Sequence, residues 1–252
     1  DGCSVSKGLQ FLVNVGIVAD MSEVSENLAR VQASVDEAVR LSGRSLNEVT
    51  LMAVSKTWPV EHVQLAVDAG HKVFGENKVQ EGEVQIPAMA DDLEWHMIGH
   101  LQTNKVKYMA PYVSLVHSVD SFKLLKEINK QALENNRTIN CLLQIHIAEE
   151  DTKFGLNESE LFELVNSSEF QNLKNIKICG LMGMATFTDN QEQLKREFSS
   201  LKQLFDAFKS NHNTEIIKPE ILSMGMSGDY QLAISQGSNM VRVGSSIFGT
   251  RS

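Results

Sequence analysis

Lys56 is the residue of this sequence whose position most clearly suggests chemistry. It ends the run LMAVSK, residues 51–56, in which nearly every preceding side chain is apolar. A lysine taken at random lies at a solvated surface, but we expect a lysine at the end of a buried strand to be partly desolvated, which favours its neutral form. A neutral lysine amine attacks aldehydes, so Lys56 is a candidate for covalent chemistry.

Two segments near the C-terminus could bind an anion. MGMSGD contains Gly225, Ser227 and Gly228, and VGSS contains Gly244 and Ser245. Backbone N–H groups and hydroxyls in such loops can surround a phosphate without obstruction by side chains. Either loop alone is more simply a tight turn, but two such loops after adjacent strands favour a phosphate site.

An amine and a phosphate site together predict a ligand with a carbonyl group and a phosphate. Pyridoxal 5′-phosphate fits, because its aldehyde can form a Schiff base with Lys56, its phosphate suits the glycine loops, and its ring nitrogen needs a partner. Arg242 lies one step inside the strand that precedes Gly244. A class I aldolase that uses Lys56 is a more distant alternative, because no acid–base carboxylates are evident nearby.

The charge and the cysteines limit the possible partners and compartments. The formal net charge is −9 at pH 7, and the acidic residues are scattered along the chain. A nucleic-acid-binding protein would show a basic stripe, so we expect no DNA or RNA partner. The three cysteines are widely spaced at Cys3, Cys141 and Cys179, which indicates free thiols in a reducing cytoplasm. No cysteine or acidic cluster accompanies the histidines of HMIGH, so no metal site is expected.

The first 20 residues require a separate interpretation. KGLQFLVNVGIVAD faintly resembles a secretory signal, but MSEVSENLARV at Met21 looks like a natural start. We therefore expect residues 1–20 to be an added upstream segment without order, and residues 21–252 to form a single domain. No apolar run approaches the roughly 20 residues that a membrane span needs.

The candidate residues must be positioned by regular elements, and the apolar pattern indicates which. Helical spacing from Val24 to a stop at Gly43 predicts a leading helix. Eight short apolar runs follow as predicted strands: 49–55, 72–75, 94–99, 113–118, 139–147, 176–182, 220–225 and 240–244. Seven predicted helices lie between them, at 60–69, 78–89, 103–110, 121–135, 159–167, 191–211 and 230–236.

This alternation predicts an α/β protein with a single (β/α)₈ TIM barrel and a leading N-terminal helix. An open doubly wound sheet is the alternative, but it would need a G-x-G-x-x-G turn after an early strand, and none is present. In a barrel, the functional face lies at the carboxyl ends of the strands. Polar residues and glycines gather at that end of the first, second, third, seventh and eighth strands, including Glu76, Asn77 and His96.

Six segments resemble the successive motifs of the pyridoxal-phosphate homeostasis proteins, also called the proline-synthetase co-transcribed homologues. They are LMAVSKTWPVEHVQLAVDAG, FGENKVQE, WHMIGHLQTNK, HSVDS, LSMGMSGDYQLAI and GSNMVRVGSSIFGTR. The resemblance covers Met21 to the C-terminus. It implies a barrel related to the N-terminal domain of alanine racemase, with pyridoxal phosphate held as an internal aldimine on Lys56.

The resemblance also implies roles for individual residues. Asn77 would lie beside the cofactor, Ser227, Gly228, Gly244 and Ser245 would receive the phosphate, and Arg242 would face the pyridine nitrogen. The full set of expected cofactor-binding residues is Lys56, Asn77, His96, Met226, Ser227, Gly228, Arg242, Gly244 and Ser245. The family pattern has tyrosine where this chain has Lys78, so the contacts of that loop are not implied.

The resemblance implies a monomeric carrier that limits free pyridoxal phosphate and supplies it to apo-enzymes in vitamin B6 homeostasis. The alternative is an amino-acid racemase with weak activity, which needs a second base opposite Lys56. In alanine racemase that base is a tyrosine from an additional domain. This chain ends eight residues after Gly244, and its tyrosines are Tyr108, Tyr112 and Tyr230, so we expect the second base to be missing.

Overall fold

The computed structural model describes residues 5–150 and 154–249, with the side chains of residues 5–22, 84 and 85 excepted. The described strands are β1 (Thr50–Val54), β2 (Val73–Glu76), β3 (Glu94–Met97), β4 (Leu115–Val119), β5 (Ile139–Ile145), β6 (Ile176–Gly183), β7 (Ile217–Met226) and β8 (Met240–Val243). They form a closed parallel barrel in chain order, and β8 pairs with β1. The predicted (β/α)₈ barrel is confirmed.

Helices precede β1, connect successive strands and follow β8. The described helices are α1 (Val5–Leu41), α2 (Val60–Asp68), α3 (Val79–Gln85), α4 (Val106–Met109), α5 (Phe122–Glu134), α6 (Glu158–Asn166), α7 (Ser168–Gln171), α8 (Gln191–Asn211), α9 (Tyr230–Ser235) and α10 (Ser245–Phe248). Short 3₁₀ turns lie at Leu46–Glu48, Ile86–Ala88 and Thr103–Lys105.

The strands read as apolar runs because both of their faces are buried, as parallel strands between a core and a helical layer require. A cluster of Met52, Leu115, Leu142, Met182 and Met240 is separate from the two clusters that include helix residues. These residues point into the barrel, so the barrel is filled by side chains and has no central channel.

The leading helix, α1, packs against α9 and α10 and covers one side of the barrel. Its buried residues are Val24, Leu28, Val31, Val35, Ala38 and Val39, as their helical spacing predicts. They share one core cluster with Ile234 of α9 and Ile247 of α10. Gly43 has φ +69°, a left-handed conformation that suits glycine just after a helix.

The element boundaries differ from the predicted ones at identifiable places. Helix α1 begins at Val5, within the segment expected to lack order. The sequence permits this, because residues 5–20 contain no proline. Residues 1–4 lie outside the described part, and the domain boundary at residue 20 stays a prediction. Helix α6 is capped by Asn157 through a reciprocal bond with Glu160, so the prediction that Ser159 opens it is wrong.

No helix in the described part of the chain is long and apolar enough to cross a membrane. Cys141 and Cys179 are free thiols, on the neighbouring strands β5 and β6. Burial raises the pKa of the Cys141 thiol above its ordinary range. Cys3 lies outside the described residues, so the expectation of three free thiols is tested for two.

Candidate functional site

The carboxyl ends of β7, β8 and β1 lie side by side, because these strands are neighbours in the closed barrel. Strand β1 ends at Val54, Ser55 is buried, and Lys56 follows in the loop. Lys56 is exposed, so the expected partial desolvation is wrong. The physical reason is that the strand and its buried environment end before Lys56 is reached.

The loops after β7 and β8 are joined to each other. The N–H of Gly244 donates to Ser227 Oγ at 3.2 Å, and the N–H of Met226 donates to Asp229 Oδ1 at 2.6 Å. Gly225 has φ +101°, and a Cβ there would lie 2.6 Å from the Cβ of Ala233. Glycine is therefore required at position 225 both for backbone conformation and for space.

The same two loops present backbone donors to the barrel mouth. Ser245 begins α10 and Tyr230 begins α9, and the first N–H groups of a helix have no acceptor within that helix. A Cβ on Gly228 would meet nothing within 4 Å, so this residue borders open space. The arrangement suits an oxyanion such as phosphate.

Arg242 lies beneath the loops as a buried cation. It is 3% exposed, and it donates to Ser223 Oγ at 2.5 Å and to the carbonyl oxygen of Gly183 at 3.1 Å. Burial lowers the pKa of Arg242 to about 10, and the Asp229 carboxylate opposes the change. The guanidinium is therefore still charged at neutral pH, and a buried charge favours an anionic or acceptor group beside it.

A hydrogen-bonded chain continues from Arg242 through the barrel. Ser223 Oγ lies 3.0 Å from His117 Nδ1, and His117 Nε2 lies 3.1 Å from His96 Nδ1. Arg242 can only donate, so Ser223 Oγ accepts from it, and a Ser223 hydroxyl that donates to His117 Nδ1 leaves His117 Nε2 to donate to His96. His96 Nε2 then faces Glu94 Oε2 at 3.7 Å. With these directions of donation His117 is a neutral imidazole.

The pKa shifts agree with that assignment. Burial, together with His96 and Arg242, holds the pKa of His117 well below its ordinary range. The pKa of Glu94 is lowered, first through its polar contact with His96. This series of side chains therefore ends at the ionised carboxylate of Glu94, at the amino-terminal end of β3.

One cavity of about 720 Å³ opens at the mouth. It brings together eight of the nine predicted site residues, namely Lys56, Asn77, Met226, Ser227, Gly228, Arg242, Gly244 and Ser245. A volume of this size is typical of sites for small organic ligands. The first, second, seventh and eighth strands thus supply their carboxyl ends to a single site, as expected for a barrel.

His96 is the predicted residue that the structure places elsewhere. It is 4% exposed and pairs in register with Gly75, one residue before the end of β2. Ile98 and Gly99, further along the chain, line the cavity instead. His96 lies one layer below the cavity and reaches Arg242 through His117 and Ser223, and its contact with the ligand stays a prediction.

Part of the cavity wall was missed by the sequence reasoning, because it comes from the loops after β5 and β6. These loops contribute Phe154, Thr186, Phe187 and Asp189. Gln144 also lines the cavity, and its Nε2 donates to the carbonyl oxygen of Phe154 at 3.0 Å. The sequence feature that could have predicted this wall is Gln144, a polar residue within the apolar run INCLLQIHI.

Glu197 of α8 holds these loops in place. Its carboxylate accepts from the N–H and the hydroxyl of Thr186, at 2.7 and 2.6 Å, and from the N–H of Glu149 at 3.3 Å. Glu197 is 5% exposed. One buried carboxylate therefore fixes the positions of two loops that come from different strands.

The chain is similar to a known protein family and to proteins of known name. Residues 26–252 match the family model described as alanine racemase, N-terminal domain. A relative from Aquifex aeolicus named pyridoxal phosphate homeostasis protein is 40% identical over 90% of this chain and 97% of its own length. A relative of the same name from Escherichia coli K12 is 37% identical over 92% of this chain and 98% of its own length.

A solved structure is also similar over nearly the whole barrel. It is PipY of Synechococcus elongatus PCC7942 with PLP bound. It is 30% identical to this chain, with a TM-score of 0.75, and the match covers 90% of this chain and 100% of PipY.

Proposed function

The chain belongs to the alanine racemase N-terminal domain family, among the pyridoxal phosphate homeostasis proteins, and from this premise we propose that it binds pyridoxal 5′-phosphate reversibly and serves its homeostasis. When bound, pyridoxal phosphate supplies an aldehyde that condenses with a primary amine, and we assign Lys56 as that amine. The observation that carries the proposal is the single cavity that joins Lys56, Arg242 and both glycine loops.

The chemistry of the donors fits this ligand at its phosphate end. The backbone groups of Gly228 and Ser245 and the hydroxyl of Ser227 lie at the cavity wall, where they can donate to the phosphate oxygens. The bond from Gly244 N to Ser227 Oγ keeps the two loops at a fixed spacing. Asn77 and Met226 line the same cavity and would contact the ring.

Arg242 suits the ring nitrogen and limits the reactions that the site supports. Its guanidinium is held from behind by Ser223 and the carbonyl oxygen of Gly183. An arginine can donate a hydrogen bond to a pyridine nitrogen but does not transfer its proton at neutral pH. A ring that stays unprotonated is a weaker electron sink than one paired with a carboxylic acid. This favours holding the ligand over rapid amino-acid chemistry.

The choice between a carrier and a weak racemase depends on a second base. Within the described residues, none of the three tyrosines lines the cavity, whereas His100 does. His100 is stacked on Phe154 with ring centroids 4.1 Å apart, and its Nδ1 lies 3.5 Å from Asp120 Oδ2. We propose the carrier role in the cytoplasm, with apo-enzymes as recipients and a monomeric chain.

Transfer to an apo-enzyme tests the carrier role. The loaded protein is mixed with a pyridoxal-phosphate-dependent apo-enzyme in the presence of a trap for the free aldehyde, and recovered recipient activity is measured. The expected result is recovery with wild-type protein and none with Lys56→Ala, while Lys123→Ala, an exposed lysine on α5, behaves as wild type. α-Proton exchange on a panel of amino acids at enzymatic rates, roughly 1–10³ s⁻¹, would instead support the racemase.

A further inference from the structure

The residues on either side of Lys56 are each held by a different carboxyl group. Ser55 Oγ donates a hydrogen bond to Glu76 Oε1, and the N–H of Thr57 donates to Glu81 Oε2 at 2.9 Å. Glu76 ends β2, and Glu81 lies in the first turn of α3. The backbone of Lys56 is therefore fixed between two side chains that come from the next βα unit of the barrel.

Thr57 needs such a contact. Its φ is +66°, and it is one of two described non-glycine residues with a positive φ, the other being Asn136. Side chains with a branched Cβ rarely adopt this conformation, so it persists only where neighbouring groups enforce it. The bond to Glu81 is the contact that satisfies the N–H of Thr57. The turn is also closed by the bond from the N–H of Trp58 to the carbonyl oxygen of Ser55, and Glu81 is its link to α3.

Glu76 is the unusual member of this group because its polar atoms are not all satisfied. It is 2% exposed, and Glu76 Oε2 and the hydroxyl of Tyr112 are two of the four buried side-chain polar atoms in the described residues that have no hydrogen-bond partner. A Cβ on Gly82 would lie 2.6 Å from the Tyr112 hydroxyl, so this hydroxyl packs directly against α3. Two polar groups without hydrogen-bond partners, Glu76 Oε2 and the Tyr112 hydroxyl, thus lie in the corner between the end of β2 and α3.

The burial of Glu76 and the charges around it determine the pH at which its carboxyl group loses its proton. Burial, together with the Glu81 carboxylate, raises the pKa of Glu76 to about 7 against the opposing effects of the Ser55 hydrogen bond and the Lys56 charge. Near neutral pH Glu76 is thus partly protonated. With that proton the two carboxyl groups can coexist, and without it two carboxylates repel each other.

Three other charged or titratable groups face this corner. Lys78, which stands where the family pattern has tyrosine, lies 3.9 Å from Glu81 Oε1 and partly neutralises it. Burial raises the pKa of Tyr112 above its ordinary range, with Glu83 and Glu76 adding to the effect. Tyr112 is therefore a neutral phenol throughout the neutral range and adds no charge.

We propose that Glu76 and Glu81 are positioning residues for Lys56, and that a proton on Glu76 keeps the turn 55–57 closed with Lys56 on the cavity wall. Loss of the proton separates the carboxylates, releases Thr57 and lets Lys56 leave its position. The inference rests on the proposed function, because it assumes that Lys56 takes the ligand. It adds a pH-dependent control of ligand capture.

The first test uses the ligand-free protein and the hydrogen-exchange protection factor of the Thr57 amide. If closure requires the proton on Glu76, the closed population falls up to tenfold per pH unit above about pH 7. The protection factor of the wild type should follow that fall, and that of Glu76→Gln, a neutral isostere, should not. Glu61→Gln, an exposed carboxyl in the first turn of α2, is the matched control and should follow the wild type.

The second test is the rate of ligand capture, measured by stopped-flow absorbance across the same pH range and corrected for the amine fraction of a free lysine. The corrected rate should decline above pH 7 in the wild type and in Glu61→Gln, stay flat in Glu76→Gln, and be low at every pH in Glu81→Ala, which removes the acceptor of the Thr57 N–H. Coincident profiles for the wild type and Glu76→Gln would overturn the inference.

The two tests separate this inference from the proposed function. If no ligand is captured on Lys56, the proposed function fails, while hydrogen exchange still decides whether the clamp exists. If Glu76→Gln is too unstable to purify, the wild-type protection factor decides alone. A Thr57 protection factor that does not change between about pH 6 and about pH 8 contradicts the clamp.

Discussion

At the scale of single residues, the site depends on two buried ionisable groups with opposite tasks. Arg242 is buried at the base of the cavity, where its charge is available to the ligand. Glu76 is buried behind Lys56, on the outer side of the barrel wall, and bonds to Ser55. Arg242 stabilises a ligand in the cavity, and Glu76 positions Lys56, the residue that we propose binds the ligand.

Glu76 should make stability depend on pH in a predictable direction. Its pKa is raised from 4.5 to about 7 in the folded chain, so its stabilising contribution is complete below about pH 4.5 and is lost as pH rises to about 7. The shift corresponds to about 3 kcal/mol. Relative to Glu76→Gln, the wild type should lose about that much unfolding free energy across this interval, measured by chemical denaturation.

Glu61→Gln is the control for this measurement, because Glu61 is an exposed carboxyl in the first turn of α2. Its unfolding free energy should parallel that of the wild type at every pH. A constant difference between wild type and Glu76→Gln from about pH 4.5 to about pH 7 would show that Glu76 titrates as it does in the unfolded chain.

At the scale of elements, the cavity is assembled by contacts that cross from one βα unit to another. The loops after β7 and β8 are joined by the bond from Gly244 to Ser227. The loops after β5 and β6 are joined by Glu197 of α8. The first of these bonds joins two residues that line the cavity, whereas the second wall depends on α8, which does not line it.

Replacing Glu197 with alanine should loosen one wall and leave the other intact. The change leaves the N–H of Thr186 without its acceptor, and an unsatisfied buried donor costs about 1–3 kcal/mol. Hydrogen exchange should increase in residues 184–189, with weaker ligand binding and little change around Ser227. Glu192→Ala, an exposed glutamate at the start of the same helix, should change neither. Unchanged exchange at Thr186 in Glu197→Ala would contradict this account.

The sequence predicts the strands well for a physical reason. Parallel barrel strands are buried on both faces, so runs such as residues 49–55 and 176–182 are continuous and apolar. Residues directly after such runs lie at the mouth by topology alone, which places Lys56, Asn77 and Ser227 correctly in one cavity. The placement of these three residues was therefore predicted from their positions after the strands and not from their residue types.

The parts that escaped prediction depend on contacts between distant residues. The role of Glu197 requires knowing that α8 packs its carboxylate against Thr186. The segment GEN places Glu76 near the mouth, but only the structure shows that it turns outward to Ser55 and is buried. The height of His96 in the barrel could not be predicted either, because it is fixed by the register of β3 with β2.

At the scale of the whole molecule, an acidic protein must bind an anionic ligand. The net charge of −9 repels a phosphate at long range, so affinity has to come from local groups in the cavity. Lys56, Arg242 and the backbone donors of the two loops supply them. The phosphate should therefore contribute strongly to binding.

Thermal unfolding with two matched ligands tests this. At about one hundred times the dissociation constant, pyridoxal phosphate should stabilise the fold by about 2.7 kcal/mol, which is a rise in Tm of about 5–10 °C for a chain of this size. Pyridoxal without the phosphate, at the same concentration, should give a much smaller rise. Equal rises for the two ligands would show that the glycine loops do not bind the phosphate.

The central claim is that Lys56 is the residue that holds pyridoxal phosphate. The direct measurement is borohydride reduction of the purified protein after incubation with the ligand, followed by peptide mass mapping. We predict a single reduced pyridoxyl adduct, on Lys56, together with loss of the visible absorption band, and neither result in Lys56→Ala. An adduct mapped to any other lysine, or no adduct in the wild type, would contradict the account.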